Sequence, residues 1–373
     1  MLVGVFAPDP QGRTNARLTH VNQDRPDAAL AALNAVRLIV VLFIGMGYAS
    51  TMAKGPGTPE WLALFGFDPS YLGLQILFFL SGYLAWRSLA HHGSPVRMLR
   101  SRARRNLPWV ALYTLLVTAV LYPLLCNHDA PMVKGTADLA LYFIRTATLI
   151  DPGTPMPGAL DDALYACLLQ GAIWSLRIGA LAFIGLALIW AVGLRSRHWT
   201  AILCGTSLTA FVATSVLVDR MEMAQFVTAK SMLSFAWPFL LGAALFSYRE
   251  SLPRSGWAWG LIAAILIGLA TLHWSQLPWS YAVSVLVTGG LCALATALLF
   301  ARPAILCHWP NLALPVFLGV WPTTQSVLHL WSGLSTPALV FLSLAVTFGL
   351  AIAFKAAASV VLAKPVHRRV QAT

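Results

Sequence analysis

The stretch that most restricts this chain's fold is residues 74–105, LQILFFLSGYLAWRSLAHHGSPVRMLRSRARR. Its first half is apolar enough to enter a bilayer. Its second half holds six arginines, Arg87, Arg97, Arg100, Arg102, Arg104 and Arg105, and no acid. A further apolar run, NLPWVALYTLLVTAVLYPLL, follows at once. A membrane hairpin with a basic turn accommodates both chemistries, and the positive-inside bias puts that turn in the cytoplasm.

Composition points the same way. Of 373 residues, 58% are hydrophobic and only 10% charged, with mean hydropathy +0.72, which excludes an ordinary soluble globule. The net charge of +12 would suit a nucleic-acid binder, but the basic residues lie between apolar runs rather than along one polar face. The lipid bilayer is therefore the expected partner, and nucleic acid is not. Five cysteines are scattered singly without metal-ligand spacing, so neither a zinc site nor a disulfide framework is expected.

Residues 1–27 are polar and read as a cytoplasmic tail without a cleaved signal peptide. The membrane domain is expected over 28–363 and a second cytoplasmic tail over 364–373. Apolar runs at 28–50, 74–90, 107–125, 164–194, 199–217, 225–246, 257–272, 281–300, 312–331 and 337–362 suggest an all-α polytopic membrane protein of about ten transmembrane helices. The fourth run is too long for one straight span. Residues 138–150 fit a short amphipathic helix on the outer surface. With the basic turn inside, both termini are cytoplasmic, and Arg195, Arg197, Arg249, Arg254 and Arg302 also fall inside, while most acids fall outside. Pro315 and Pro322 mark the ninth run as broken or kinked, either lining a cavity or serving helix packing.

Several stretches, taken in order, resemble the bacterial membrane acyltransferase family 3. They are LNAVRLIVVLFIGMGY (33–48), FFLSGYL (78–84), the arginine run ending RRNLPW, IWSL (173–176), FLLGAALF (239–246), NLALPVFLGVWPTTQ (311–325) and LAKPVHRRV (362–370). The resemblance implies a multi-pass protein of the bacterial inner membrane that moves acetyl or succinyl groups from cytoplasmic acyl-CoA to carbohydrate. The acyl-CoA is a co-substrate, with no bound cofactor or metal. The acceptor is a hydroxyl of a cell-envelope or exported polysaccharide or glycolipid, and other polysaccharide-biosynthesis proteins are candidate partners.

Such a transfer needs cations for the donor's phosphates, a base for the hydroxyl and hydrogen-bond donors for the oxyanion. Arg37 matches the family's first-span arginine. It either binds the donor or anchors the helix at the interface by snorkelling. Arg100, Arg102, Arg104 and Arg105 are donor-site candidates, or only the orientation signal. The base is less well provided. The family's histidine eleven residues after the arginine is here Tyr48, its WSLxxE acid is Gly179, and its closing EKP is AKP. Tyrosine, with a reference pKa of about 10, is a weak base but a good hydrogen-bond donor. Tyr48 is thus the catalytic candidate of a divergent member, with Ser81, Arg177, Gln325 and His329 as cavity candidates. The last two share a helix face one turn apart, and His329 also fits an interfacial position beside Trp331. The alternative function is a catalytically degenerate homologue serving glycan or acyl-group export as an accessory or transport subunit. A secondary transporter ranks below both, since no internal repeat is visible.

Overall fold

The computed structural model describes residues 25–55, 58–63, 65–125, 136–153, 155–156, 160, 164–273, 280–301, 309 and 311–363, and every regular element among them is helical. Three helices open the chain: α1 (Arg25–Lys54), α2 (Pro69–His92) and α3 (Pro95–Leu116). Proline starts both α2 and α3, where its missing N–H has no helical partner to lose. α2 ends on Gly93, left-handed at φ 64°, whose N–H returns to the Leu89 carbonyl. Ser94 then caps α3 by accepting the Arg97 N–H at 3.3 Å. The expected basic turn is therefore only Gly93 and Ser94. Arg97 to Arg105 are helical, because Arg, Met, Leu and Ala are good helix formers once Pro95 has set the first turn.

α3 widens into a π turn at Val117–Leu121 before a last helical turn, α4 (Tyr122–Leu125). Pro123 accounts for this, since it offers no N–H to the Ala119 carbonyl and its ring pushes that carbonyl aside. Beyond lie α5 (Thr136–Ala147), α6 (Trp174–Ala191), α7 (Arg197–Met221), α8 (Val227–Tyr248), α9 (Gly256–His273), α10 (Ser280–Ala301), α11 (Ala313–Leu330) and α12 (Thr336–Ala363). Eight described helices are long and apolar enough to cross a membrane, and α9 is a shorter apolar helix. Among the described residues the chain is all-helical, and the length and composition of these helices are those of a multi-pass membrane protein.

α11 is continuous, so of the two readings of its prolines, broken or kinked, the break is excluded. Pro315 sits in its first turn, where no N–H is needed, and the helix runs through Pro322 to Leu330. α1 begins at Arg25, and Arg37 lies about 18 Å along it. α5 falls on the stretch where a short amphipathic helix was expected, with Tyr142 buried and Ile144 exposed. The fourth run is helical only from Trp174, and residues 164–173 are irregular. Non-helical backbone at this depth needs internal partners. α11 supplies them: Trp321 Nε1 donates to the Leu168 carbonyl at 2.8 Å, and Gln325 Nε2 donates to the same oxygen at 2.9 Å. The tails fall outside the described residues.

The core forms around α1 and α2, with α8, α11 and α12 packed on them. α2 and α8 cross backbone to backbone at paired glycines. A Cβ on Gly82 would lie 1.8 Å from the Phe239 carbonyl oxygen, and one on Gly242 1.9 Å from that of Phe79. Pro238 within α8 frees the Ser234 carbonyl four residues back. Gln75 of α2 fills the vacancy, donating from Nε2 to Ser234 O at 3.0 Å and accepting from Thr288 Oγ1 of α10. α3 and α6 lean on this core more lightly. The space they leave is the site.

Candidate functional site

A cavity of about 590 Å³ opens between α1, α2, α3 and α6, with the first turns of α11 closing one side. Helical periodicity selects which residues reach it. On α2, Leu74, Leu77, Phe78 and Ser81 recur at three- and four-residue steps and share one face. On α3, Leu99, Arg102, Arg105 and Asn106 do the same, with Arg102 half-buried and Arg105 at the exposed rim, whereas Arg100 and Arg104 do not line the cavity. Arg37 enters from α1 and Arg177 from α6. Of the arginines proposed from sequence, the fold thus brings Arg37, Arg102, Arg105 and Arg177 together, with Ser81, and leaves Arg100 and Arg104 outside.

The electrostatics are one-sided. Arg37, Arg102 and Arg105 repel one another across the cavity. Among the described residues, Arg102 lies over the Phe183 ring, 5.2 Å from its centroid. The ion pairs Lys230–Asp219 and Arg249–Glu250 lie elsewhere. No acid and no histidine is among the described residues lining the cavity. An arginine within the bilayer costs roughly 2.5–3.5 kcal/mol on insertion scales unless it finds a partner. Three mutually repelling guanidiniums in a half-apolar cavity therefore favour an anion from outside the chain, with Asn106 and Arg177 as further donors. Gly179 keeps it so. It lines the cavity where the resembling family has an acid, and a Cβ there would meet only Phe78, at 3.9 Å.

Tyr48 is not part of this cavity. It lies eleven residues past Arg37, about 16 Å along α1, with Ile44 packed between on Gly73. Its ring is buried edge-on against Trp321, centroids 5.4 Å apart, and its hydroxyl has no hydrogen-bond partner among the described residues. Gln325 and His329 do not form a pair facing a cavity either. Gln325 is buried and spent on the Tyr165 and Leu168 carbonyls, while His329 is exposed in the last turn of α11.

Sequence reasoning missed Glu60. It is 6% exposed, near Tyr48, between the end of α1 and the start of α2. Its carboxylate accepts from Ser70 N–H at 2.8 Å, from Ser70 Oγ–H, and from Thr51 Oγ–H at 3.1 Å. Burial raises its pKa above the usual carboxylate value, against the lowering effect of those bonds. The missed signal was a single acid beside Trp61 in an otherwise acid-poor loop. The fold therefore holds two polar centres, an arginine cavity and an acid–aromatic cluster, separated by the packed turn around Ile44. Searches of family models, curated proteins and solved structures return no match to this chain.

Proposed function

We propose that this chain is an integral membrane O-acyltransferase that takes an acyl group from cytoplasmic acyl-CoA and delivers it to a hydroxyl of a cell-envelope or exported polysaccharide or glycolipid. The observation that carries the reading is the un-neutralised cluster of Arg37, Arg102 and Arg105, a cationic seat for the donor's phosphates. The ordered resemblance of its motifs to acyltransferase family 3 supports it, and with it we propose a ten-span arrangement in a bacterial inner membrane with both termini cytoplasmic. In the transfer, the acceptor oxygen attacks the thioester carbonyl. The C–O bond forms, the C–S bond breaks, and the hydroxyl proton ends on the sulfur of free CoA. Arg177 and Asn106 are placed among the cavity's donors, suited to the charge that develops on the carbonyl oxygen.

One observation favours a second reading. The described cavity lining offers no base, and Tyr48 lies outside it. An accessory subunit that binds the same anion for acyl-group or glycan export, without catalysis, accommodates that. Deletion separates the readings when the acyl content of surface and secreted glycans is measured alongside the amount exported. The enzyme reading expects acylation to vanish with export intact, and Arg37→Ala to restore less than a tenth of it. Unchanged acylation on deletion overturns the enzyme; lost export with normal acylation of the residual glycan favours the accessory subunit.

A further inference from the structure

The arginines occupy one part of the cavity, and the rest of its wall is apolar. Leu77 and Phe78 of α2, Leu107 of α3, and Leu181 and Ile184 of α6 line it together. Three of these are open to the surroundings: Leu107 is 38% exposed, Leu181 50% and Ile184 45%. α6 touches α2, α3 and α8 only lightly, so the cavity continues as a groove between α3 and α6 that opens sideways. In a membrane that opening meets acyl chains, not water. Gly179 and Ala180 keep this part of the wall small, and a Cβ on Gly179 would just touch the Phe78 ring at 3.9 Å. Beyond the arginines the apolar lining is Leu107 and Val110 on α3 and Leu181 and Ile184 on α6. An acetyl group would leave most of these side chains without an apolar contact.

We infer that the groove seats a long hydrophobic acyl chain, so that the donor is an amphiphilic thioester with its phosphates on Arg37, Arg102 and Arg105 and its chain lying along α6 towards the bilayer. This rests on the acyltransferase reading and replaces the acetyl or succinyl group with an alkyl one. Charge and apolarity are arranged in sequence along one continuous surface, which is the layout such a molecule requires. The transfer balances as before, with the alkyl acyl group moving from sulfur to the acceptor oxygen.

The test measures binding of CoA, acetyl-CoA, octanoyl-CoA and palmitoyl-CoA to the full-length protein in nanodiscs of phosphatidylcholine. Affinity is expected to rise by up to about fourfold per methylene until the groove is filled. Gly179→Leu, which adds bulk beside Phe78 at the cavity wall, and Leu181→Ser, which makes the wall polar without adding bulk, are expected to collapse the palmitoyl-to-acetyl affinity ratio at least tenfold. Partition of the probe into lipid alone would leave that ratio unchanged in both variants. Equal affinity for acetyl-CoA and palmitoyl-CoA in the wild type overturns the proposal, as does a variant pair that keeps the wild-type ratio. Failure of every CoA compound to bind, or binding indifferent to Arg37→Ala, overturns the donor-site reading instead. A further arm adds phosphatidic acid to the nanodiscs. Displacement of palmitoyl-CoA by that lipid, with no measurable binding of CoA itself, identifies the groove as a lipid site and removes the donor.

Discussion

Glu60 gives the sharpest prediction at the scale of a single residue. Its pKa is raised above the ordinary 4.5 because burial disfavours the carboxylate more than Ser70 and Thr51 favour it. The folded protein thus holds this proton to higher pH than the unfolded chain does, so folding stability is full below about pH 4.5 and falls as pH rises through the higher folded value. Glu60→Gln removes the titration. The Tm of the purified protein, measured between about pH 4 and 7, is expected to fall more steeply in wild type than in the variant. Equal slopes would show that another group sets the dependence. Glu60 is illegible in the sequence because its burial is made by remote residues. A Cβ at Gly47 would sit 2.0 Å from Glu60 Oε2, so the carboxylate fits only because α1 carries a glycine there. The arginines were half legible. Read as a turn, Arg100 and Arg102 are equivalent; read as helix, the 3.6-residue period separates them. Tyr48 was placed by resemblance to a pattern, which carries no information about the packed turn at Ile44.

At the scale of elements, span positions were readable because a bilayer crossing demands a long apolar run whatever its partners. Helix contacts were not, since they depend on which backbones can touch. The α2–α8 crossing is the clearest case. A methyl on Gly82 or Gly242 meets a carbonyl oxygen of the facing helix, and backbone cannot rotate away as a side chain can. Gly82→Ala is expected to destabilise the protein by about 3 kcal/mol. Gly179→Ala, which meets only the Phe78 ring at 3.9 Å, should be neutral or stabilising by up to about 1 kcal/mol, since alanine is the better helix former. Thermal unfolding of both variants in one detergent checks the pair. Equal shifts would mean that the crossing is looser than its glycines imply. The irregular segment at 164–173 was readable only as excess length. Its actual stabilisation comes from Trp321 and Gln325, two α11 residues more than 150 positions away. α11 itself shows the same limit: its prolines left a break and a kink equally open, and its polar side chains serve a neighbouring backbone, not a break of its own.

For the whole molecule, orientation follows from which helix ends lie together. Arg197 at the start of α7 lies over the Tyr248 ring at the end of α8, 5.8 Å from its centroid, and Lys230 near the start of α8 bonds Asp219 near the end of α7. α7 and α8 therefore run antiparallel, with arginines at one end and a mixed pair at the other. The exposed arginines of α3 belong to the arginine end under the positive-inside rule. α9 packs antiparallel on α10, because a Cβ on Gly256 would lie 2.9 Å from that of Ala301. The two must cross or stay out together, although α9 alone is short for a span. Single cysteines in a cysteine-free background decide the arrangement, labelled in intact cells with a membrane-impermeant maleimide. Gln225→Cys, between α7 and α8, is expected to label from outside. His92→Cys, Ser251→Cys and Ala301→Cys should label only after the cells are opened. Labelling of His92→Cys in intact cells would invert the protein and put the arginine cavity out of reach of a cytoplasmic thioester. Labelling of Ala301→Cys alone would mean that α10 crosses without α9, which contradicts the hairpin and changes the number of spans between the cavity and the chain's end.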